Sequence, residues 1–158
     1  MSLDPDSFRA VLGRFASGVT VVTTRDDGGR DAGMTVSAFC SLSLEPPLVL
    51  VCIAHEASLH GLMVEGRPFA VNILAAGQEA LSRRFSGPDP NRFDGVGYER
   101  GQTGVALLDD ALAHLECRVG QRYPGGDHTI CVGQVESATV RPDRPLLYYR
   151  GGYAQLER

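Results

Sequence analysis

The strongest constraint on the fold is a succession of short apolar and β-branched runs, none longer than a strand, separated by glycine, proline and aspartate. Val19-Thr20-Val21-Val22-Thr23-Thr24 reads as a strand, and Asp26-Asp27-Gly28-Gly29 as its turn. Residues 34–41 open with alternation, with Met34, Val36, Ala38 and Cys40 on one face and Thr35, Ser37 and Ser41 opposite. Residues 48–53 and 69–74 are continuous apolar strands, and strands resume over 113–122. A turn at Pro124-Gly125-Gly126-Asp127 leads into a strand from His128 to about Val140, and a last pair, 146–149 and 152–156, joins around Arg150-Gly151. Helices are few. Asp4 and Pro5 cap one that carries Phe8, Val11, Leu12 and Phe15 to about Ser17, where Gly18 ends it. Ser58 caps a second with Leu59, Leu62 and Met63, closed by Gly66, and a third covers 78–85. Residues 86–104 read as a long surface loop. Many short strands with few helices predict a mainly β fold, a closed or partly closed antiparallel barrel, in one domain over residues 1–158.

Charge and missing residue types narrow the chemistry. Fifteen basic and nineteen acidic side chains give a formal charge of -4 with no basic tract, which argues against nucleic acid or an anionic membrane surface as partner. The longest apolar stretch, Leu48–Ala54, falls far short of the roughly 20 residues that span a bilayer. The N-terminus has no signal-peptide pattern, so the expected location is cytoplasmic. All fifteen basic residues are Arg, which removes lysine Schiff bases, pyridoxal phosphate attachment and the Walker phosphate loop. Gly95-Val96-Gly97 is followed by Arg100 where a dinucleotide fingerprint needs its third glycine. The cysteines Cys40, Cys52, Cys117 and Cys131 are dispersed and read as small buried hydrophobes in a reducing compartment. His55 and His60 are five apart where a zincin helix needs four, so they read as solvated loop histidines and no metal site is expected.

Three features can carry chemistry. The hydroxyl-rich run from Thr35 through Ser37, Ser41 and Ser43 suits a polar ring or phosphate, and equally an ordinary solvent-facing strand. Arg83-Arg84, after Ser82, suits a phosphate through the guanidinium fork, and equally a solvated helix face. Asp127-His128-Thr129, after the glycine turn, is either functional or a packed hairpin residue.

In their order and spacing these tracts resemble the flavin reductase family, the small component of two-component flavin-dependent monooxygenases. The resemblance runs from about residue 7 to 156. It is carried by Phe8-Arg9, by Gly13-Arg14-Phe15-Ala16-Ser17-Gly18 with the strand after it, and by Gly33 through Ser43. Pro46-Pro47-Leu48-Val49-Leu50-Val51, Phe69-Ala70-Val71-Asn72 and Leu81-Ser82-Arg83-Arg84-Phe85 continue it. Leu115-Glu116-Cys117, Gly126-Asp127-His128-Thr129-Ile130, Pro145-Leu146-Leu147-Tyr148 and Gly152-Tyr153 complete it. Leu44-Glu45 departs from the family, in which a proline commonly follows the second serine.

The resemblance implies an FMN-binding split β-barrel of Greek-key type, homodimeric, with each flavin near the subunit interface. Thr35, Val36, Ser37 and Ala38 would lie along the isoalloxazine, with backbone amides 36–38 facing its polar edge. Ser41, Leu42 and Ser43, together with Cys52 and the segment to Ser58, would follow ring, ribityl chain and phosphate. Arg84 and Phe85 fall in the region that meets the phosphate. His128 would stand in the catalytic site where nicotinamide stacks on the flavin, with Tyr153 as a second nicotinamide candidate. The implied reaction is hydride transfer from NADH or NADPH to FMN or FAD, supplying a separate oxygenase. A pyridoxamine phosphate oxidase-like enzyme and a non-enzymatic flavin carrier are the alternatives.

Overall fold

The computed structural model describes residues 2–157. Helix α1 (Pro5–Leu12) starts as the sequence predicts, with Asp4 Oδ2 accepting the Ser7 amide at 3.0 Å and proline in the first turn. It stops at Leu12 and not near Ser17, because Gly13 takes the C-cap and returns its amide to the Arg9 carbonyl at 2.8 Å. Gly18 therefore ends no helix; Ser17–Gly18 form a short strand, β1, against β11 (Leu146–Tyr149), which pairs in turn with β12 (Gly152–Gln155).

The main sheet has seven antiparallel strands: β2 (Thr20–Arg25), β3 (Asp31–Val36), β4 (Phe39–Ser43), β5 (Leu48–Ala54), β6 (Pro68–Ile73), β9 (Ala113–Gly125) and β10 (His128–Val140). The single strand expected over 34–41 is two, broken at Ser37-Ala38. Their spatial order is β3-β2-β6-β9-β10-β5-β4. Because β5 lies beside β10 and not beside β6, the strands β5, β6, β9 and β10 form a Greek key. The break at Ser37-Ala38 also dictates closure. Laid flat, seven strands would hold β3 and β4 roughly 28 Å apart. Three Cα steps from Val36 to Phe39 reach at most about 11 Å. The sheet must therefore curl until its edges meet. Its interior confirms this, since Val22, Val36, Val51, Ile53, Phe69, Val71, Cys117 and Cys131, drawn from both halves of the sheet, share one buried core.

A second core lies outside the barrel. Helix α2 (Glu79–Ser86) covers β3 and β2, with Phe85 packed among Val19, Val21, Leu74, Leu108 and Leu146. Strand β2 is thus buried on both faces, and its hydroxyls are bonded internally: Thr23 Oγ1 donates to the Ala106 carbonyl and Thr24 Oγ1 to the Pro68 carbonyl, each at 2.7 Å. The loop expected over 86–104 contains β7 (Tyr98–Arg100), which pairs with β8 (Ala106–Leu108). The helix expected after Ser58 shrinks to one 3-10 turn, His60–Leu62. Ser58 caps nothing there, because burial of Leu59 and Met63 under the barrel sets the local path. Among the described residues no helix is long and apolar enough to cross a membrane.

The β7–β8 hairpin is fastened by a buried carboxylate. Glu116 accepts the Thr103 amide at 3.0 Å, the Thr103 hydroxyl at 2.8 Å and the Ser137 hydroxyl at 2.9 Å. Burial alone would push its pKa up, but these bonds and the Gln102 amide hold it below the ordinary carboxylate value. A depressed folded pKa contributes stability that is present above the unfolded value of about 4.3 and is lost as pH falls through the folded one. Acid titration of unfolding should therefore show a steeper loss of stability below pH ~4 in the parent than in Glu116→Gln. Parallel curves would contradict this assignment.

Candidate functional site

The site lies along the outer edge of β3. β3 pairs with β2 on one side only, and its other edge approaches β5 beyond the reach of β4, whose pairing ends at Phe39 and Val51. The Gly33 carbonyl points to this edge, where Arg92 Nη1 donates to it at 2.8 Å. By the period of two, the backbone of Thr35 faces the same way. Three concavities follow one another along this edge. Gly33 lines one of 440 Å³ with Ser58, Arg30, Arg92 and Phe93. Thr35 and Ser37 line one of 200 Å³ with Ser82, Tyr148 and Tyr153. Ser37 and Ala38 line one of 490 Å³ with Phe39, Cys40, Leu50 and Cys52. Gly33 to Ser37 is about 13 Å of extended chain. The track has an apolar end large enough for a flat ring and a polar end with arginines, a donor set that fits a flavin nucleotide.

Several expected residues meet here and others do not. Ser37, Ala38 and Cys52 share the largest of the three concavities, and Ser37 joins it to its neighbour. The Ala38 carbonyl is engaged by the Cys52 amide at 3.0 Å, which fixes the β3–β4 link against β5. The Thr35 hydroxyl is committed as donor to the Ser82 carbonyl at 2.7 Å. The Val36 side chain belongs to the barrel core and its backbone faces β2, where its carbonyl accepts from Thr20 Oγ1, so Val36 itself is turned away from the open edge. Phe85 is fully buried, edge-on to Phe93 at 5.1 Å, and is a packing residue with no ligand-facing surface. Gly33 makes room for both rings, since a Cβ there would lie 3.0 Å from Phe85 and 3.2 Å from Phe93. Ser41, Leu42 and Ser43 stand along β4 and line none of the three concavities.

Arg84 departs most from expectation. Its Nε donates to the Arg92 carbonyl at 2.6 Å, and its Nη2 to the Asn91 and Asp94 carbonyls at 3.0 and 2.6 Å. The guanidinium thus holds the loop that walls the Ser58 concavity and does not project into it. Sequence alone could not show this, because the loop carbonyls carry no residue signature.

At the far end of β5, His128 pairs with Ala54, and its Nδ1 donates to Asp127 Oδ1 at 2.7 Å, leaving Nε2 for a ligand. This bond, above all, holds the Asp127 carboxyl below its usual pKa. Asp127, which stands beside His128 in the Asp127-His128-Thr129 tract, is thus the group that orients the imidazole. His128 and Tyr153 do not share a cavity. His60 is no solvated loop histidine: it bonds Thr129 Oγ1 at 2.8 Å and lies edge-on to His55 at 5.1 Å. Burial first, then His55 and Arg122, push its pKa down. The four cysteines are free thiols. Cys117 and Cys131 are buried, with Cys117 pushed up to about 12 by burial, whereas Cys40 is exposed and Cys52 only half-buried. Among the described residues no cluster of three or more metal-ligating side chains occurs.

The curled antiparallel barrel carries a nucleotide-sized track along the β3 edge, and its family is given by its relatives. Residues 12–157 match the flavin reductase like domain, and the chain belongs to that family. It is 40% identical over 157 residues to the reductase subunit HsaB of a flavin-dependent monooxygenase from Rhodococcus jostii, covering 99% of this chain and 80% of that one. It is 42% identical over 157 residues to a flavin reductase (NADH) from Kitasatospora aureofaciens, covering 97% and 82%. Among solved structures it resembles the NADH:FAD oxidoreductase SgcE6 of Streptomyces globisporus, with a TM-score of 0.92, 39% identity and coverage of 100% and 98%. SgcE6 has also been solved with NAD and FAD fragments.

Proposed function

We propose that the chain is an NAD(P)H:flavin oxidoreductase that reduces FMN or FAD and passes it to a separate oxygenase, acting in the cytoplasm. The observation that carries this reading is the open β3 edge beside an apolar concavity, in a chain whose relatives are named NADH-dependent flavin reductases. The bound flavin supplies the hydride acceptor, and the nicotinamide supplies the hydride. The protein's part is placement. Ala38, Phe39, Leu50 and Cys52 offer a flat apolar seat, while the amides of Ser37 and Ala38 and the Ser37 hydroxyl would face the ring's polar edge and stabilise negative charge developing there. Ser58, with Arg30 at the Gly33 end, meets the phosphate, and Arg84 keeps that wall in place. Holding both rings in one site replaces a bimolecular encounter with a positioned one. Steady-state NADH oxidation with added FMN or FAD tests the reading.

His128, oriented by Asp127, positions the nicotinamide and does not itself carry the hydride. Loss of one neutral hydrogen bond, about 0.5–1.5 kcal/mol, predicts that His128→Ala slows flavin reduction roughly 2- to 13-fold with flavin affinity unchanged. Rapid-mixing reduction at saturating and low NADH measures this. A loss of ~100-fold that follows pH would instead make His128 a general acid.

The working form is a homodimer. Helix α1 has no buried residue, and Phe8, Val11, Leu12 and Phe15 are 49%, 69%, 55% and 82% exposed. A free helix below ~12 residues is marginal in water, so this stripe needs a cover. Leu12 and Phe15 continue directly into the apolar concavity of Ala38, Leu50 and Cys52, and a second copy of the chain covers both at once. Sedimentation should give a dimer; a 16.9 kDa monomer reducing flavin at full rate would refute this.

A further inference from the structure

The apolar seat and His128 stand on one face of the sheet. Burial alternates along β5 and the opening half of β10, with Val49, Val51, Ile53, Thr129 and Cys131 turned into the barrel. Leu50, Cys52, Ala54, His128 and Ile130 therefore stand on the outer face. The pairing sets His128 opposite Ala54 and Ile130 opposite Cys52, so His128 lies diagonally across from Cys52, about 7–8 Å away. His128 thus borders the seat without lining it, and its imidazole rises toward the level of a second ring stacked on the first. On its other flank β9 offers only Gly125, so no side chain covers it from that position.

The proton on this imidazole is fixed by its neighbour. Asp127 Oδ1 lies 2.7 Å from His128 Nδ1, and the bond holds the carboxyl below its usual pKa. An ionised carboxylate can only accept, so Nδ1 carries the hydrogen. In the neutral ring Nε2 is then a bare acceptor, and no described residue donates to it. The carboxamide of a dihydronicotinamide offers both an acceptor oxygen and N–H donors. Only the donors suit an acceptor nitrogen.

We propose that Asp127 holds His128 as the Nδ1–H tautomer, so that Nε2 accepts a hydrogen bond from the carboxamide N–H of the hydride donor and selects donors that carry an amide. The proposal rests on the reductase reading above and deepens it: His128 positions the ring, and Asp127 decides which ring it can hold. Asp127 is a positioning residue, acting through His128 alone.

The test compares NADH with its reduced 3-acetylpyridine analogue, whose acetyl group keeps the acceptor oxygen and lacks the N–H. In Asp127→Ala the imidazole is released to carry its proton on Nε2, the tautomer an unconstrained histidine favours. The KM for NADH should rise roughly 2- to 13-fold, the range for one neutral hydrogen bond, with kcat unchanged within about twofold. The KM for the acetyl analogue should stay or fall, because Nε2–H can now donate to the acetyl oxygen. Asp127→Asn keeps an acceptor oxygen for Nδ1 and should recover part of the loss. Flavin affinity should hold in both variants. An unchanged KM for NADH overturns the proposal. So does an equal rise for both donors, which would mean that Asp127 only shapes the turn, and so does a loss of flavin affinity, which would place the pair against the flavin instead. If the parent oxidises neither NADH nor NADPH with flavin present, the reductase reading itself has failed.

Discussion

Replacing Ala38 with phenylalanine should lower flavin affinity at least ~100-fold, about 2.7 kcal/mol. Ala38 is exposed, and its carbonyl already holds the Cys52 amide, so the backbone at this point cannot move aside. A benzyl group there would project into the 490 Å³ concavity and occupy the space assigned to the isoalloxazine. Fluorescence titration of FMN and FAD against both proteins makes the comparison. Retained affinity would move the ring elsewhere on the barrel.

Phe69→Ala should cost about 3–5 kcal/mol, the range for emptying a buried aromatic site. Phe69 is fully buried in the barrel core, and its ring occupies the space where Gly133, on β10, has no side chain: a Cβ on Gly133 would lie 2.5 Å from Phe69 Cζ. The sheet cannot contract onto the void, because Phe69 belongs to β6, which is paired on both sides, to β2 and β9. For a chain of this size the loss should appear as a fall in Tm of roughly 6–20 °C. A drop under 1 kcal/mol in denaturant unfolding would mean that the two halves of the sheet do not share one core.

The strands were legible because their composition is decisive. The β-branched run in β2, the apolar run in β5 and the glycine turn before β10 each leave one local solution. The ends of the helices were not. α1 carries a helical apolar stripe through Phe15, yet nothing among the described residues buries that stripe, so the chain turns away at Gly13. The Ser58 segment has a cap residue and helical spacing, but Leu59 and Met63 are drawn under the barrel within a single turn. The split of residues 34–41 was hidden for a different reason. Alternation persists on both sides of Ser37-Ala38, and only the closing of the sheet requires a break there. In the site, Ser37, Ala38 and Cys52 could be placed from the run they stand in. Arg83 and Arg84 could not be told apart, since their difference lies in backbone carbonyls of a distant loop and in the ring of Tyr153. Glu116 likewise reads as a solvent-facing strand residue until the β7–β8 hairpin folds over it.

This barrel transfers reducing equivalents from nicotinamide to flavin and does not merely carry flavin. Anaerobic mixing of the purified protein with NADH and FMN or FAD tests it directly, following flavin absorbance in the visible band. The flavin should bleach at a rate that saturates with NADH and is proportional to protein, with negligible loss of NADH when flavin is omitted. Saturable flavin binding with no bleaching above the protein-free rate would make the chain a carrier and contradict the account.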